Sequence, residues 1–250
     1  MSSKPTLLIL GGTLKAFELA ERLVVEGWEQ RFRVLTSLRG STRNPRVPSG
    51  EHRIGGFGGI PGLEAFLQTE NVAFVIDATH PFAEQISNHA FLACKGSGIP
   101  LIRLERPAWQ PELGDDWIML PDLKSAATWL LKHPQRLLLT SGHKDLDVFR
   151  GCHDSFFLIR TVEPALLPEA FPPAENLIVR GPFNVEAEIE LMRSRSISLV
   201  VSKNSGGSSS RPKLLAARKL SISVLMIDRL EKPDVSKTEK IEQLMEWLSN

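Results

Sequence analysis

Short apolar runs alternate with amphipathic segments along most of the 250-residue chain. The clearest amphipathic segment is Leu14–Val25, where apolar residues recur at the i, i+3, i+4 spacing of a helix packed on a core, and Gly27 follows it. Nine apolar runs are predicted as strands: residues 6–10, 33–36, 73–76, 100–104, 136–140, 156–159, 177–179, 197–201 and 222–227. This alternation predicts the α/β class with mainly parallel sheets.

The two halves of the chain resemble each other at one place. Leu7-Leu-Ile-Leu-Gly-Gly-Thr13 and Leu137-Leu-Leu-Thr-Ser-Gly-His143 are both apolar strands followed by a turn of small residues. With 42% hydrophobic residues, the chain can bury one large core or two smaller ones. Residues 108–114 and 132–135 are richer in proline and polar groups, so we place a boundary near Pro134. The sequence therefore predicts two related nucleotide-fold domains, residues 1–134 and 135–250.

Charge and cysteine content restrict the classes of partner. Thirty Lys and Arg residues against twenty-nine Asp and Glu residues give a net charge of +1, so no overall field attracts nucleic acid or a membrane surface. The two cysteines, Cys94 and Cys152, are too few for a zinc-ligand pattern or a disulfide scaffold, as is typical of a reducing compartment. No apolar stretch approaches the roughly 18 residues of a membrane span. We expect a soluble cytoplasmic protein.

One apolar run ends abruptly in polar residues. In the stretch Val72-Ala-Phe-Val-Ile-Asp-Ala-Thr-His-Pro-Phe-Ala83, Asp77, Thr79 and His80 come just before Pro81. Buried parallel strands read as continuous hydrophobic runs, and the ligands of open α/β sheets collect beyond the carboxyl ends of such strands. We therefore expect a functional site around residues 79–82. The alternative is that Asp77 and Thr79 only cap the following helix.

The first strand runs into Gly11-Gly-Thr-Leu-Lys-Ala16, where a dinucleotide fold places its glycines beside a pyrophosphate. Thr13 and Ala16 replace the second and third glycines of the Gly-x-Gly-x-x-Gly pattern, so a tight strand-to-helix turn is the alternative. The second strand ends in Thr36-Ser-Leu-Arg-Gly-Ser-Thr-Arg43, without the carboxylate that holds the ribose hydroxyls of NAD. The donors suited to a 2′-phosphate, which favour NADPH over NADH, are Ser37, Arg39, Ser41 and Arg43.

A glycine-rich loop, Arg53-Ile-Gly-Gly-Phe-Gly-Gly59, comes just before an amphipathic helix that starts near Gly62. Four glycines surround one aromatic residue, and backbone without Cβ atoms can lie against a flat ring. We expect this loop to line the coenzyme. The alternative is a flexible loop.

Further basic and small polar residues follow predicted strands in Arg103-Leu-Glu-Arg-Pro-Ala-Trp109, Arg180-Gly-Pro-Phe183, Ser202-Lys-Asn-Ser-Gly-Gly207 and Lys213-Leu-Leu-Ala-Ala-Arg218. Arg103 has an alternative role as an ion-pair partner of Glu105. Residues 204–210 are rich in glycine and serine, as a flexible connection is, but between a strand and a helix they can also form an anion-binding nest or a closing lid.

In this order, residues 11–13, 53–59, 77–83, 103–109, 180–183, 203–207 and 213–218 resemble the precorrin-6A reductases of cobalamin biosynthesis. The resemblance implies an NADPH-dependent reductase that saturates one ring double bond of precorrin-6A, a carboxylate-rich tetrapyrrole, to give precorrin-6B without flavin or metal. It also implies two Rossmann-like domains, one holding the coenzyme and the other the macrocycle, with their final strands exchanged. Ser141-Gly-His143 departs from the family pattern, and His143 receives no role.

The expected coenzyme-binding residues are Gly11, Gly12, Thr13, Ser37, Arg39, Arg43, Gly55, Gly56, Phe57, Gly58, Gly59, Thr79 and His80. The expected substrate-binding residues, whose basic members would hold the macrocycle carboxylates, are Pro81, Phe82, Arg103, Arg106, Arg180, Lys203, Asn204, Ser205, Gly206, Gly207, Lys213 and Arg218. His80 and Lys203 are candidates for delivering the proton, and trapped water serves equally well. We assign no catalytic residue and no metal ligand.

Three other functions are weighed against this one. A cobalt-precorrin-6A reductase of the anaerobic branch, using NADH, stays open because the sequence does not determine whether the substrate carries cobalt. A non-catalytic NADPH-sensing module would have no use for the arginines of the second half. A sugar-nucleotide or short-chain dehydrogenase would also use the glycine-rich turn, but the latter needs a Tyr-x-x-x-Lys pair, and the chain contains no tyrosine.

Overall fold

The computed structural model describes residues 4–40, 46–142 and 144–249. These residues form two compact units, Met1–Arg106 together with Glu231–Asn250, and Pro107–Leu230. The strands in chain order are β1 (Thr6–Leu10), β2 (Arg33–Leu38), β3 (Glu51–Ile54), β4 (Val72–Asp77), β5 (Leu101–Leu104), β6 (Trp117–Leu120), β7 (Arg136–Leu139), β8 (Phe156–Thr161), β9 (Ala174–Ile178), β10 (Leu199–Lys203), β11 (Ser223–Ile227) and β12 (Ser236–Thr238). The α-helices are α1 (Leu14–Val25), α2 (Gly59–Thr69), α3 (Glu84–Ser97), α4 (Leu123–Lys132), α5 (Val185–Ser194), α6 (Pro212–Lys219) and α7 (Ile241–Ser249).

The first unit contains a six-stranded parallel sheet with the order β12-β5-β4-β1-β2-β3. Its central strand β1 is buried along its whole length, as a parallel strand covered on both faces must be. Leu7 and Ile9 pack on one face with residues of α1 and α7, whereas Leu8 and Leu10 pack on the other with residues of α2 and α3. The apolar spacing of Leu14–Val25 therefore predicted α1 correctly, and α1 buries Leu19 and Leu23 against β1.

The second unit repeats this arrangement with the strand order β6-β11-β10-β7-β8-β9, again all parallel. Numbered in chain order, the first sheet follows the Rossmann pattern 3-2-1-4-5-6. The second sheet follows the same pattern for its first five positions when the count begins at β7, and β6, which precedes β7 in the chain, takes the sixth position. The sixth position in the first sheet is held by β12, which follows β11 of the second sheet in the chain, and the sixth position in the second sheet is held by β6, which follows β5 of the first sheet. The prediction of two Rossmann-like domains that exchange their last strands is confirmed.

The division between the units differs from the boundary that we placed near Pro134. Residues 107–132 belong to the second unit because β6 pairs with β11 over Trp117↔Val224 to Leu120↔Ile227. The last twenty residues belong to the first unit because β12 pairs with β5. There Ile241, Leu244, Met245 and Leu248 of α7 join the core that contains Leu7 and Ile9. Three strands, β3, β6 and β12, were not among those predicted, because all three are short edge strands without a buried apolar run.

Candidate active site

The carboxyl ends of the strands share one edge in each sheet, because all strands of a sheet are parallel. In the first sheet the strand order reverses between β1 and β4, and in the second it reverses between β7 and β10. Ligands of open α/β sheets bind at such switch points. The turn after β1 and residues 79–82 therefore lie at the switch point of the first unit, and residues 204–207 lie at that of the second.

The turn after β1 has the shape of a phosphate cradle. A Cβ atom on Gly11 would lie 2.9 Å from Thr36 Cγ2, so only glycine fits there without displacing Thr36. Gly12 has φ +107° and faces open space. Thr13 caps α1, since its Oγ1 accepts a hydrogen bond from the Ala16 N–H at 3.2 Å and donates one to the Ala78 carbonyl at 2.8 Å. Exposed backbone at a helix N-terminus suits a pyrophosphate, so these residues fit a nicotinamide dinucleotide coenzyme.

Ser37, at the end of β2, lies opposite Arg53 of β3 in the sheet register. Arg53 Nη1 donates to Ser37 Oγ at 2.9 Å and to the Gly55 carbonyl at 3.1 Å, and Arg53 Nη2 donates to the Gly56 carbonyl at 2.9 Å. Arg39 follows β2 and is exposed. Ser41 and Arg43, the other predicted 2′-phosphate ligands, lie outside the described residues. An arginine therefore stands beside Ser37, where an NAD-specific fold has a carboxylate.

The glycine-rich loop is organised by the same arginine. The Arg53 guanidinium lies 4.2 Å from the centroid of the Phe57 ring, and Phe57 meets Phe66 of α2 edge to face at 5.0 Å. Partial burial lowers the pKa of Arg53 from its ordinary value. Residues 55–57 are thus held by hydrogen bonds and ring contacts, unlike a flexible linker, and their coenzyme-lining role stays a prediction.

Asp77, at the end of β4, is the centre of a buried polar network. Its Oδ2 accepts from Arg103 Nε at 3.3 Å, and its Oδ1 accepts from Thr79 Oγ1 at 2.6 Å and from the Thr79 N–H at 3.2 Å. Arg103 Nη1 also donates to the Pro233 carbonyl at 3.2 Å. Arg103 is only 4% exposed and pairs with Asp77, not with Glu105, so we no longer propose it as a ligand of substrate carboxylates. Glu105 instead lies 3.5 Å from Lys232 Nζ.

The turn after Thr79 holds the ring of His80 against Phe82. The Phe82 N–H donates to His80 Nδ1 at 3.2 Å, and the two rings lie 5.9 Å apart. This hydrogen bond occupies Nδ1 of the His80 ring with a backbone N–H. The role of His80 as the proton donor stays a prediction.

Several predicted site residues of the first unit line one small cavity. It is lined by Thr13, Lys15, Thr79, Pro81, Leu104, Glu105 and Arg106. Thr13 comes from the turn after β1 and Thr79 from the end of β4, so the cavity lies at the switch point of the sheet. The structure thus brings Thr13, Thr79, Pro81 and Arg106 together.

The loop after β10 in the second unit is anchored. Asn204 is buried, and its side chain accepts from the Trp109 N–H at 2.8 Å and donates to the Trp109 carbonyl at 3.1 Å. Trp109 Nε1 donates to the Gly207 carbonyl at 2.9 Å. Lys203 Nζ lies 3.1 Å from Asp145 Oδ2. Asn204 and Gly207 therefore hold the backbone around Trp109, which disfavours the closing lid that the glycines and serines suggested.

Two further predicted substrate ligands take part in internal contacts. Lys213 is 4% exposed, donates to the Ser210 carbonyl at 3.2 Å and lies 5.3 Å from the Trp109 ring centroid. Arg218 donates to both carboxylate oxygens of Asp115 at 2.8 Å and to Glu112 Oε2 at 2.8 Å. The hydrogen bonds to Asp115 raise the pKa of Arg218. Burial opposes the charge on Asp115, but hydrogen bonds from Arg218 and from the Glu112 N–H outweigh it and lower the pKa of Asp115.

Arg180 follows β9 and is exposed. Phe183 of the same motif lies over the guanidinium of Arg160, 4.1 Å from the ring centroid, and Arg160 forms a buried ion pair with Glu188. The sequence reasoning gave no separate role to Arg160 or Arg53, which make these internal contacts. The signal was present in both cases, since each is a charged residue close to the carboxyl end of a strand, as Asp77 is.

The described residues contain neither a membrane span nor a cluster of metal ligands. No helix within them has the length and apolar character needed to span a membrane. No group of three or more His, Cys, Asp or Glu side chains in the same part of the chain is arranged to hold a metal ion.

A family model, a curated relative and a solved structure all match this chain and name the same family. The family model described as Precorrin-6x reductase CbiJ/CobK matches residues 6–249. The chain is 41% identical over 244 residues to a precorrin-6A reductase from Rhodobacter capsulatus, covering 98% of this chain and 96% of that protein. A solved structure, CobK precorrin-6A reductase, matches with a TM-score of 0.91 at 41% identity and covers 98% of this chain and 96% of that one.

The relatives named for a cobalt-containing substrate are more distant. A cobalt-precorrin-6A reductase from Methanothermobacter thermautotrophicus is 28% identical over 239 residues, which cover 91% of this chain and 78% of that protein. The match to the reductases named for precorrin-6A is higher in identity and nearly complete in both chains. The chain therefore belongs to the precorrin-6x reductase family, CbiJ/CobK.

Proposed function

We propose that the protein is an NADPH-dependent precorrin-6A reductase, which reduces one ring double bond of precorrin-6A to give precorrin-6B in cobalamin biosynthesis. The observation that carries this proposal is the family match over residues 6–249. The cradle formed by Gly11, Gly12 and Thr13 agrees with it, because a reductase of this kind needs a site for a dinucleotide.

Reduction of a conjugated ring system adds a hydride to one carbon and a proton to its neighbour. The coenzyme supplies the hydride when it is bound. The chain supplies binding, orientation and a fixed electrostatic environment. Gly11, Gly12 and the N-terminus of α1 would hold the pyrophosphate, and Thr79 would lie on the nicotinamide side of the switch point.

The proton source is solvent in this proposal. His80 Nδ1 accepts a hydrogen bond from the Phe82 N–H, and Lys203 is paired with Asp145. A trapped water needs no shifted pKa in the protein. We therefore assign no catalytic residue, and His80 keeps only its predicted role beside the coenzyme.

The macrocycle carboxylates would be held by basic residues that follow strands. Arg180 is exposed after β9, and Arg106 lines the cavity of the first unit. Lys203 is the last residue of β10 and is partly exposed despite its pair with Asp145. Charge-assisted hydrogen bonds from such residues would fix which edge of the macrocycle reaches the coenzyme. In this proposal the basic residues position the substrate and do not exchange protons with it.

The preference for NADPH over NADH rests on the end of β2. Ser37 and Arg53 stand where an acid would hold the ribose hydroxyls of NAD, and Arg39 is exposed next to them. Guanidinium groups match the geometry of phosphate oxygens. These residues would hold the 2′-phosphate of NADPH.

Arg39→Ala should weaken NADPH binding by about ten- to a hundredfold, since one charged hydrogen-bonding partner of the 2′-phosphate is lost. NADH binding should stay nearly unchanged. Dissociation constants for both coenzymes, measured by titration calorimetry, test this expectation. Arg31→Ala is the matched control, because Arg31 is an exposed arginine of the same unit that stacks on Trp28. Equal losses for both coenzymes at position 39 would contradict the assignment.

Direct hydride transfer is tested with stereospecifically deuterated NADPH and precorrin-6A. We expect one deuterium at a single carbon of the reduced macrocycle, seen by mass spectrometry and NMR, from only one of the two C4-labelled coenzymes. The other labelled coenzyme is the internal control. A reduced product without deuterium from either coenzyme would exclude direct hydride transfer. Absence of any reduction would favour the alternative, a non-catalytic module that binds the coenzyme.

We also propose that the protein works in the cytoplasm. Cys94 and Cys152 are free and buried, as in proteins of a reducing compartment. Burial raises the pKa of Cys94 to about 12, which keeps its thiol protonated.

A further inference from the structure

The hydroxyl of Thr79 has its proton in a defined direction. Its Oγ1 lies 2.6 Å from Asp77 Oδ1, and the Thr79 N–H meets the same oxygen at 3.2 Å. Asp77 is 1% exposed, and its second oxygen pairs with Arg103. Both oxygens of Asp77 thus accept hydrogen bonds, Oδ1 from Thr79 and Oδ2 from Arg103. The hydroxyl proton of Thr79 is therefore donated to Asp77.

The consequence is that Thr79 offers an acceptor to anything that enters the cavity. A hydroxyl has one proton and two lone pairs. Ser87 Oγ, at 3.5 Å, can use at most one of these lone pairs. Thr79 lines the cavity together with Thr13 of the turn after β1. A ligand group beside Thr79 is therefore recognised if it carries an N–H or O–H donor.

The orientation of the coenzyme follows from the sheet. In a Rossmann-type unit the adenosine ribose lies at the end of the second strand and the pyrophosphate lies at the turn after the first. The nicotinamide must then extend to the other side of the first strand, where β4 ends in Asp77 and is followed by Thr79. Its carboxamide carries one amine donor group and one carbonyl acceptor.

We infer that Thr79 accepts a hydrogen bond from the carboxamide amine of the nicotinamide, and that Asp77 and Arg103 are positioning residues that set the direction of the Thr79 hydroxyl. The inference rests on the proposed function, since it needs a bound nicotinamide coenzyme. Such a contact fixes the rotation of the ring about its glycosidic bond. It thereby selects the face of the nicotinamide that is presented to the substrate.

The test compares NADP⁺ with its 3-acetylpyridine analogue, in which a methyl group replaces the amine and the carbonyl remains. Dissociation constants are measured by calorimetry for the wild type, Thr79→Val and Thr79→Ser. The ratio compared is the dissociation constant of the analogue divided by that of NADP⁺. We expect this ratio to fall by about two- to tenfold in Thr79→Val, because valine offers no acceptor for the amine. Thr79→Ser keeps the hydroxyl and should keep the wild-type ratio. Using the ratio removes effects of the analogue that have no connection with Thr79.

Binding of 2′,5′-ADP, which lacks the nicotinamide, is the control for an intact site and should be equal in all three proteins. Thr79→Ala replaces Thr79→Val if valine disturbs that binding. An unchanged ratio in the variant that lacks the hydroxyl would overturn the inference and leave the proposed function standing, because the coenzyme still binds. Failure of the wild type to bind NADP⁺ at all would overturn both.

Discussion

Asp77→Asn is expected to lower the free energy of unfolding by about 3–5 kcal/mol, because it leaves the Arg103 charge buried without its partner. Arg103 is only 4% exposed, and its Nη2 has no hydrogen-bond partner within the described ranges. Asparagine keeps the shape of aspartate, so the loss comes from charge and not from a cavity. Urea-induced unfolding followed by tryptophan fluorescence measures the change.

An exposed ion pair of the same unit provides the control. Glu51 is 59% exposed beside Arg33, so Glu51→Gln should cost less than about 1 kcal/mol. The double variant Asp77→Asn/Arg103→Met removes the unpaired charge and should recover part of the stability lost in Asp77→Asn. If Asp77→Asn proved as mild as Glu51→Gln, the buried pair would not stabilise this part of the sheet.

Gly206→Ala should destabilise the protein by about 2–4 kcal/mol. Gly206 has φ +66°, which an alanine adopts only with strain. In addition, the new Cβ would lie 2.0 Å from the Pro107 carbonyl oxygen. The loop cannot shift freely, since Asn204 and Gly207 on either side are bonded to Trp109. Thermal and urea unfolding give the measurement.

Gly98→Ala separates the backbone strain at Gly206 from the steric clash with the Pro107 carbonyl. Gly98 ends α3 with φ +67°, almost the same backbone conformation, but a Cβ there meets no atom within 4 Å in the described structure. It should cost only the conformational strain, about 1 kcal/mol. Similar losses at both positions would show that the loop around Gly206 relaxes without cost.

Local patterns in the sequence predicted a large part of the fold. The spacing of apolar residues gave α1 and all nine strands that were proposed, within a few residues at each end. The abrupt end of β4 in Asp77 and Thr79 located the switch point of the first sheet, because polar groups after a buried strand need a reason to be there. The family resemblance is confirmed by the match over residues 6–249.

Partners far apart in the chain could not be predicted. Asp77 and Arg103 are 26 residues apart, and Asn204 and Trp109 are 95 apart. A sequence shows that a charged residue is present, but its partner depends on which strands and loops become neighbours. For this reason Arg103 and Arg218 were expected to hold substrate carboxylates, whereas the structure pairs them with Asp77 and Asp115. The same limit concealed β6 and β12, whose places are set by distant strands.

The exchange of last strands also imposes an order on folding during synthesis. The first sheet begins at Thr6, yet its edge strand β12 is made only near the end of the chain, at Ser236–Thr238. Until then β5 has an unpaired edge, and unpaired edges invite pairing with other chains. The second sheet is complete earlier, because β11 ends at Ile227 and β6 has long been made. The unit whose strands emerge first from the ribosome is therefore the last to be completed.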